Sequence, residues 1–294
     1  MPELPEVEGL AEFLRGRLVG SSVAAVEVGS INVLKTYDPQ PTALNGLEIT
    51  AVRRHGKWLD VDADGLHLVW HLSRAGWVRW SESLNPKPLR PSGKAVVALR
   101  VRIDDGEAPE DGLPGFELTE AGTTKRLAVH VVADSTTIPQ IASLGPDPLA
   151  PDFDRAALAG ILAGRNQQLK GVLRDQSVIA GIGNAYSDEI LHAAQLSPFA
   201  IASRLEEEQL DRLDRALHDV LDKAVAVASG KPAKELKDAK RRGMAVHGRT
   251  GETCPVCGDV VREVSFADSS LQYCATCQTG GKPLADRRTS KFLK

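Results

Sequence analysis

The sequence predicts an α+β chain: an N-terminal helix leading into an antiparallel β-sandwich, then a helical segment, then a small cysteine-bearing β-hairpin. Three observations predict it. Apolar residues first recur at helical spacing and then, from about residue 22 to 132, fall into short alternating runs. Helical periodicity returns beyond residue 150. All four cysteines lie between Cys254 and Cys277.

Taken in order, Pro5 opens a stretch in which Val7, Leu10, Ala11, Leu14 and Leu18 share one face, and Gly20 closes it. Pro2, Glu3 and Glu6 therefore stand at a helix N-terminus, where the backbone dipole favours anions. Val23–Val28, Trp58–Val61, Leu66–Leu72 and Val96–Ile103 read as strands between Gly and Asp turns, and Asp104–Gly115 reads as a loop. The run Leu144-Gly-Pro-Asp-Pro-Leu149 marks a domain connector. Beyond it, Leu205, Leu210, Leu213, Leu217, Val220, Leu221 and Ala224 keep one apolar face through a long helix. Two shorter helices between Leu169 and Leu196 are separated by Ile179-Ala-Gly-Ile-Gly-Asn184, with Asn184 at the expected N-cap. The expected division is a sandwich domain over 1–132, a linker over 133–150, a helical domain over 151–240 and a cysteine hairpin over 241–294.

Cys254-Pro-Val-Cys257 and Cys274-Ala-Thr-Cys277 form two C-x-x-C knuckles separated by a stretch of β-hairpin length, with Val260, Val264 and Phe266 as its apolar positions. Four thiolates in paired knuckles supply the tetrahedral set that zinc prefers, and no cysteine is left over. A closed set of four leaves no open coordination position, so one structural Zn²⁺ is expected, with Cys254, Cys257, Cys274 and Cys277 as ligands. The alternative, two redox pairs, lacks a βαβ setting.

The chain has 294 residues, with 26% charged and 42% hydrophobic, as in soluble globular proteins. No apolar run reaches the length of a membrane span, and the acidic N-terminus has no signal-peptide core. The net charge of −3 hides segregation. Residues 231–294 hold 13 Lys/Arg against 7 Asp/Glu, a net of +6, whereas residues 101–155 hold 4 against 11, a net of −7. Lys234, Lys237, Lys240, Arg241, Arg242 and Arg249 flank the cysteine hairpin, a pattern compatible with phosphate contacts and equally with a solvated surface.

The opening Met-Pro-Glu-Leu-Pro-Glu-Val-Glu, the run Asp175-Gln-Ser-Val-Ile-Ala-Gly-Ile-Gly-Asn-Ala-Tyr186 and the terminal knuckles occur together and in order. In these the chain resembles the bacterial formamidopyrimidine-DNA glycosylase / endonuclease VIII family across nearly its whole length. The resemblance implies that the helical segment is a helix–two-turn–helix DNA-binding domain. It implies a DNA repair glycosylase and abasic-site lyase acting on damaged DNA at the bacterial nucleoid; the clustered cysteines suit a reducing cytoplasm, and a monomer is the default expectation. It implies that the amine of Pro2, exposed by removal of Met1, attacks the sugar C1′. Glu3 becomes the general acid/base, Glu6 an orienting acid, Lys57 a lysine reaching the lesion and its phosphate, and Lys170 and Asn184 holders of backbone phosphates.

Three positions depart from the family pattern. Ser269, after Asp268, stands where the zinc hairpin usually carries a phosphate-gripping arginine. Arg74 stands where a wedge methionine is usual, and Thr123-Thr-Lys-Arg-Leu-Ala128 replaces a loop that fills the vacated base stack, leaving Arg126 or Leu127 for that task. These departures imply a substrate range shifted from 8-oxoguanine. A weakly active or inactive damaged-DNA-binding protein of the same fold is the alternative, and a protein- or ribosome-associated scaffold the rival from another class.

Overall fold

A computed structural model describes residues 1–92, 95–106, 112–121, 125–267 and 269–285. Among them the chain forms two compact units: residues 1–143 with 228–237, and residues 144–227 with 238–285. Residues 228–237, read from sequence as part of the helical domain, thus pack with the sandwich, and the cysteine hairpin packs in one unit with the helices.

The first unit begins with α1 (Leu4–Leu18), followed by β1 (Ser22–Val28), β2 (Ile49–His55), β3 (Trp58–Ala63), β4 (Leu66–His71), β5 (Gly76–Ser81), β6 (Val97–Asp104), β7 (Gly115–Glu120) and β8 (Ala128–Val132). Two four-stranded antiparallel sheets result, ordered β1-β6-β7-β5 and β2-β3-β4-β8. Alternation along the strands sends Leu99, Val101, Phe116 and Leu118 from one sheet, and Leu59, Val61, Leu68 and Trp70 from the other, into one core. Trp70 and Phe116 stack there with ring centroids 5.5 Å apart. The apolar face of α1 joins the same core, with Leu10, Leu14 and Leu18 fully buried. Gly9 on α1 faces the segment 228–237, where a Cβ would stand 2.9 Å from the Cβ of Ala228. This close approach excludes a side chain.

The short helix α2 (Pro139–Ala142) ends the first unit's N-terminal run. The second unit holds α3 (Arg155–Leu162), α4 (Leu169–Arg174), α5 (Asn184–Ala193) and most of α6 (Glu207–Ala228) around Leu173, Ile179, Ile190, Leu213 and Leu217. The turn from α4 to α5 is built by Gln176, whose Nε2 donates to the carbonyls of Arg174 and Ile182 at 2.9 and 2.7 Å while its Oε1 accepts from Gly181 N–H at 3.0 Å. Gly181 takes a φ of +86°, which glycine alone adopts without penalty. Gly183, extended, is the N-cap, and Asn184 is the first helical residue of α5, one position later than the sequence placed it. Then come α7 (Leu236–Gly243), the hairpin β9 (Val261–Ser265) and β10 (Ser270–Cys274), and α8 (Ala275–Thr279). Val264 is buried as expected, but Val260 and Phe266, which lie just before and just after β9, are 47% and 41% exposed, and Val261 at the start of the strand is buried in place of Val260. No helix is long and apolar enough to cross a membrane among the described residues.

Candidate functional site

In the first unit, the N-terminus of α1 gathers Pro2, Glu3 and Glu6, all buried. Glu3 is the N-cap and Glu6 the third helical residue, and together they form a capping box. Oε2 of Glu6 accepts from the backbone N–H of Glu3 at 2.9 Å. That N–H belongs to the Pro2–Glu3 peptide, so Glu6 fixes the peptide plane through which Pro2 joins the helix. Met1 lies outside, half exposed.

Lys57 lies in the two-residue turn Gly56–Lys57 between β2 and β3. Gly56 has a φ of +56° and Lys57 does not share the left-handed region, the signature of a II′ hairpin turn. Lys57 is 8% exposed, so it is not a solvated surface lysine. Arg54, whose side chain is 6% exposed, ties this turn to α1: its Nε meets Glu8 Oε2 at 2.5 Å and its Nη1 donates to Gly56 O at 3.1 Å. Arg15 adds a second tie, donating to Val52 O from Nε at 3.1 Å and Nη2 at 3.0 Å. His55, just before the turn, bonds Asp60 at 2.9 Å, and His67 bonds the other oxygen of that carboxylate at 2.8 Å. Burial raises the Asp60 pKa, but the two imidazoles outweigh it and hold the carboxyl below its usual range.

His71 ends β4 with its ring 4.9 Å from that of Trp58. Burial, and then the neighbouring Lys57 charge, push its pKa down to about 4. Its Nδ1 accepts from Ser73 N–H at 3.2 Å, so in the neutral ring the proton sits on Nε2. Ser73, at a φ of +52°, also donates its hydroxyl to Arg126 O at 2.8 Å. This joins the turn bearing exposed Arg74 to the loop bearing exposed Arg126. Glu120 Oε1 anchors that loop by accepting from the N–H groups of Arg126 and Leu127 at 2.6 and 2.9 Å. Leu127 is 1% exposed and packs in the sandwich core, so it is not available to fill a base stack. Thr123, Thr124 and Asp268 lie outside the described residues.

In the second unit, Lys170 is buried on α4, and its ammonium donates to Asp188 Oδ1 at 2.6 Å, Ser187 Oγ at 2.8 Å and Asn184 O at 3.1 Å. Three acceptors match the three donors of an ammonium. The other oxygen of Asp188 bonds His247 Nδ1 at 2.8 Å. Asn184 Nδ2 donates to Ser270 O at 2.7 Å, beside Ser269 at the hairpin tip. Arg249 pairs with Glu252 at 2.7 Å and donates to Met244 O at 3.2 Å.

The Sγ atoms of Cys254, Cys257, Cys274 and Cys277 lie within 4.8 Å of one another. Burial pushes up the thiols of Cys274 and Cys277. For Cys254, burial is outweighed by N–H donors of Cys257, Val256 and His192, and the thiol is lowered. Four sulfurs this close cannot all ionise without a cation among them, so the donor set fits one dication. This is a structural zinc site, held by two knuckles against the β9–β10 hairpin.

Family models match along the chain in the same order: the formamidopyrimidine-DNA glycosylase N-terminal domain over residues 1–109, the H2TH domain of that glycosylase over 144–234, and the zinc finger found in FPG and IleRS over 251–280. A formamidopyrimidine-DNA glycosylase of Moorella thermoacetica is 36% identical over 90% of this chain and 94% of its own length. The chain belongs to the formamidopyrimidine-DNA glycosylase family. An uncharacterised formamidopyrimidine-DNA glycosylase-like protein of Mycobacterium tuberculosis is 60% identical over 53% of this chain and 98% of its own. The complex of Lactococcus lactis Fpg with DNA containing an abasic site superposes with a TM-score of 0.80 at 24% identity, covering 94% of this chain and 99% of that one, a likeness of fold. Of the residues that brace the candidate site, Arg54, His71 and Glu120 carry no sequence signal of their own. Only the adjacency of Arg54 to His55-Gly-Lys57 hints at one.

Proposed function

We propose that this chain is a base-excision-repair DNA glycosylase with abasic-site lyase activity, and that its substrate range is shifted from 8-oxoguanine. The observation that carries the reading is the buried helix end at Pro2, Glu3 and Glu6. The family membership supplies the reaction class. Removal of Met1 leaves the Pro2 amine at the positive end of α1, where the dipole disfavours its protonated form. A free α-amine has a pKa of about 7.7–8.0, so a useful fraction is nucleophilic near neutrality. The amine attacks C1′ of the damaged nucleotide, the C1′–base bond breaks, and the base departs with the proton the amine gives up; a proton delivered to O4′ then lets the C1′–O4′ bond break, opening the sugar and leaving an iminium between Pro2 and C1′. Glu3 moves protons on the opened sugar, Glu6 holds the Pro2–Glu3 peptide, and Lys57 meets the lesion or its phosphate.

The DNA-holding roles divide by exposure. Asn184 and Arg249 are proposed to meet phosphates, and Arg74 and Arg126 the site of the extruded base. Lys170 is proposed to order the α4–α5 turn through Asp188 instead of touching phosphate, because its donors are already taken within the unit. The shift in substrate rests on Ser269 and Arg74: a hydroxyl cannot replace a guanidinium's bidentate grip.

Borohydride trapping on abasic-site DNA, with intact-mass analysis, tests the reading. A covalent adduct at the N-terminus, abolished by Pro2→Gly, is expected. No adduct from protein shown to begin at Pro2 overturns catalysis and leaves a damaged-DNA-binding protein. Cleavage of 8-oxoguanine duplex as fast as any other lesion overturns the shift alone.

A further inference from the structure

The zinc hairpin is fastened along α5 by a series of polar contacts. Near the helix start, Asn184 Nδ2 reaches Ser270 O. One turn on, the buried carboxylate of Glu189 accepts from the N–H groups of Ala245, Val246 and His247 at 2.7, 3.0 and 2.8 Å. Past the helix end, Gln278 Nε2 donates to Leu196 O at 2.9 Å, while Gln278 Oε1 accepts from Cys274 N–H at 2.9 Å.

Between these contacts sits His192, 4% exposed, with its Nε2 3.3 Å from Cys254 Sγ. It differs from the rest in addressing a metal-ligand atom. Cys254 is itself 1% exposed, so water does not compete for that sulfur. The sulfur set is complete at four, and no histidine nitrogen belongs to the cluster of close ligand atoms. A thiolate bound to zinc is an acceptor, so the imidazole nitrogen facing it must carry the proton. The backbone N–H groups of Val256 and Cys257 point at the same sulfur, but they belong to its own knuckle. Among the described residues, and apart from the other cysteines of the cluster, His192 is the group that approaches it from another element.

We propose that His192 is a positioning residue of the zinc site, donating Nε2–H to the Cys254 thiolate and thereby fixing the first knuckle to α5. The donor lowers the energy of the sulfur lone pair and holds Cys254 in place while the other ligands exchange. Partners of this kind outside the ligand set affect metal affinity by about 10–100-fold. The inference concerns the metal site and stands independently of the proposed reaction.

The test uses the full zinc-loaded chain. Transfer of zinc to a chromophoric chelator is expected to run about 10–100-fold faster in His192→Phe, which keeps the ring volume and loses the donor. In His192→Gln, which keeps an N–H, transfer stays within about threefold of the parent protein. With cobalt in place of zinc, the thiolate-to-cobalt absorption moves to lower energy in His192→Phe and returns in His192→Gln, a change that loss of packing alone does not produce. Equal transfer rates with an unmoved band overturn the proposal. So does X-ray absorption showing three sulfurs and one nitrogen around the metal, which makes His192 a ligand. Should His192→Phe fail to fold, ¹⁵N spectra of the unmodified zinc-loaded protein decide: a His192 Nε2 without a proton overturns the assignment.

Discussion

Two hairpin ends invite comparison, the Gly56–Lys57 turn in the first unit and the Phe266–Ser269 tip in the second. The first is buried and braced from outside: Arg54 joins it to Glu8 of α1, and the Asp60 carboxylate holds His55 beside it. The second is closed by its own Phe266 N–H to Ser269 O bond of 2.7 Å, and it presents Phe266 to solvent. Replacing a residue in the first disturbs two elements and the core between them. At the second, a side chain can change with little cost to the fold. The chain accords with that difference: the lysine expected at the first end is kept, and the arginine expected at the second is a serine.

Several substitutions break or sharpen the contrast. The largest effect is expected at the braced end. Glu3→Gln keeps the helix-capping oxygen but loses the exchangeable proton, and lowers the single-turnover rate on abasic DNA by about 10²–10⁴-fold. A rate within a few-fold of the parent removes Glu3 from the chemistry.

Next comes a pH effect of roughly 3 kcal/mol at most. The native His71 pKa, at about 4, lies below the 6.5 of an unperturbed histidine, so between these values the unfolded chain binds the extra proton. His71's contribution is therefore complete above about pH 6.5 and declines as the pH falls toward 4. Urea midpoints measured across that interval are expected to fall more steeply for the parent than for His71→Phe. Parallel profiles exclude the depressed pKa.

Arg54→Ala removes a buried guanidinium from between α1 and the turn. It is expected to cost about 2 kcal/mol, less than a fully buried pair because Glu8 keeps partial access to water. Adduct yield falls with it, whereas Arg53→Ala, whose partner Asp62 is met from an exposed side chain, changes neither. Equal effects of the two substitutions dissolve the bracing argument.

The smallest expected effect lies at the open tip. Ser269→Arg adds one phosphate contact, steepening the dependence of log affinity on log salt by about 0.9 and raising DNA affinity roughly tenfold, with an unchanged urea midpoint. An unchanged salt slope places the tip away from DNA.

By itself, the sequence determined the class of each segment and the zinc ligands. These rest on local regularities: the spacing of Val7, Leu10, Leu14 and Leu18, alternation in the strands, and two C-x-x-C pairs whose geometry is set within a few residues. The family's opening and turn motifs were legible for the same reason, being contiguous. Tertiary structure alone decided what depends on distant partners. It put Lys170 into an ion pair with Asp188, took Leu127 into the core, moved the N-cap from Asn184 to Gly183 and turned Val260 and Phe266 outward. It also brought Arg54 to Glu8, 46 positions away, and His192 to Cys254, 62 positions away. A side chain's reach and its burial are fixed by packing between elements, which no periodicity along the chain records.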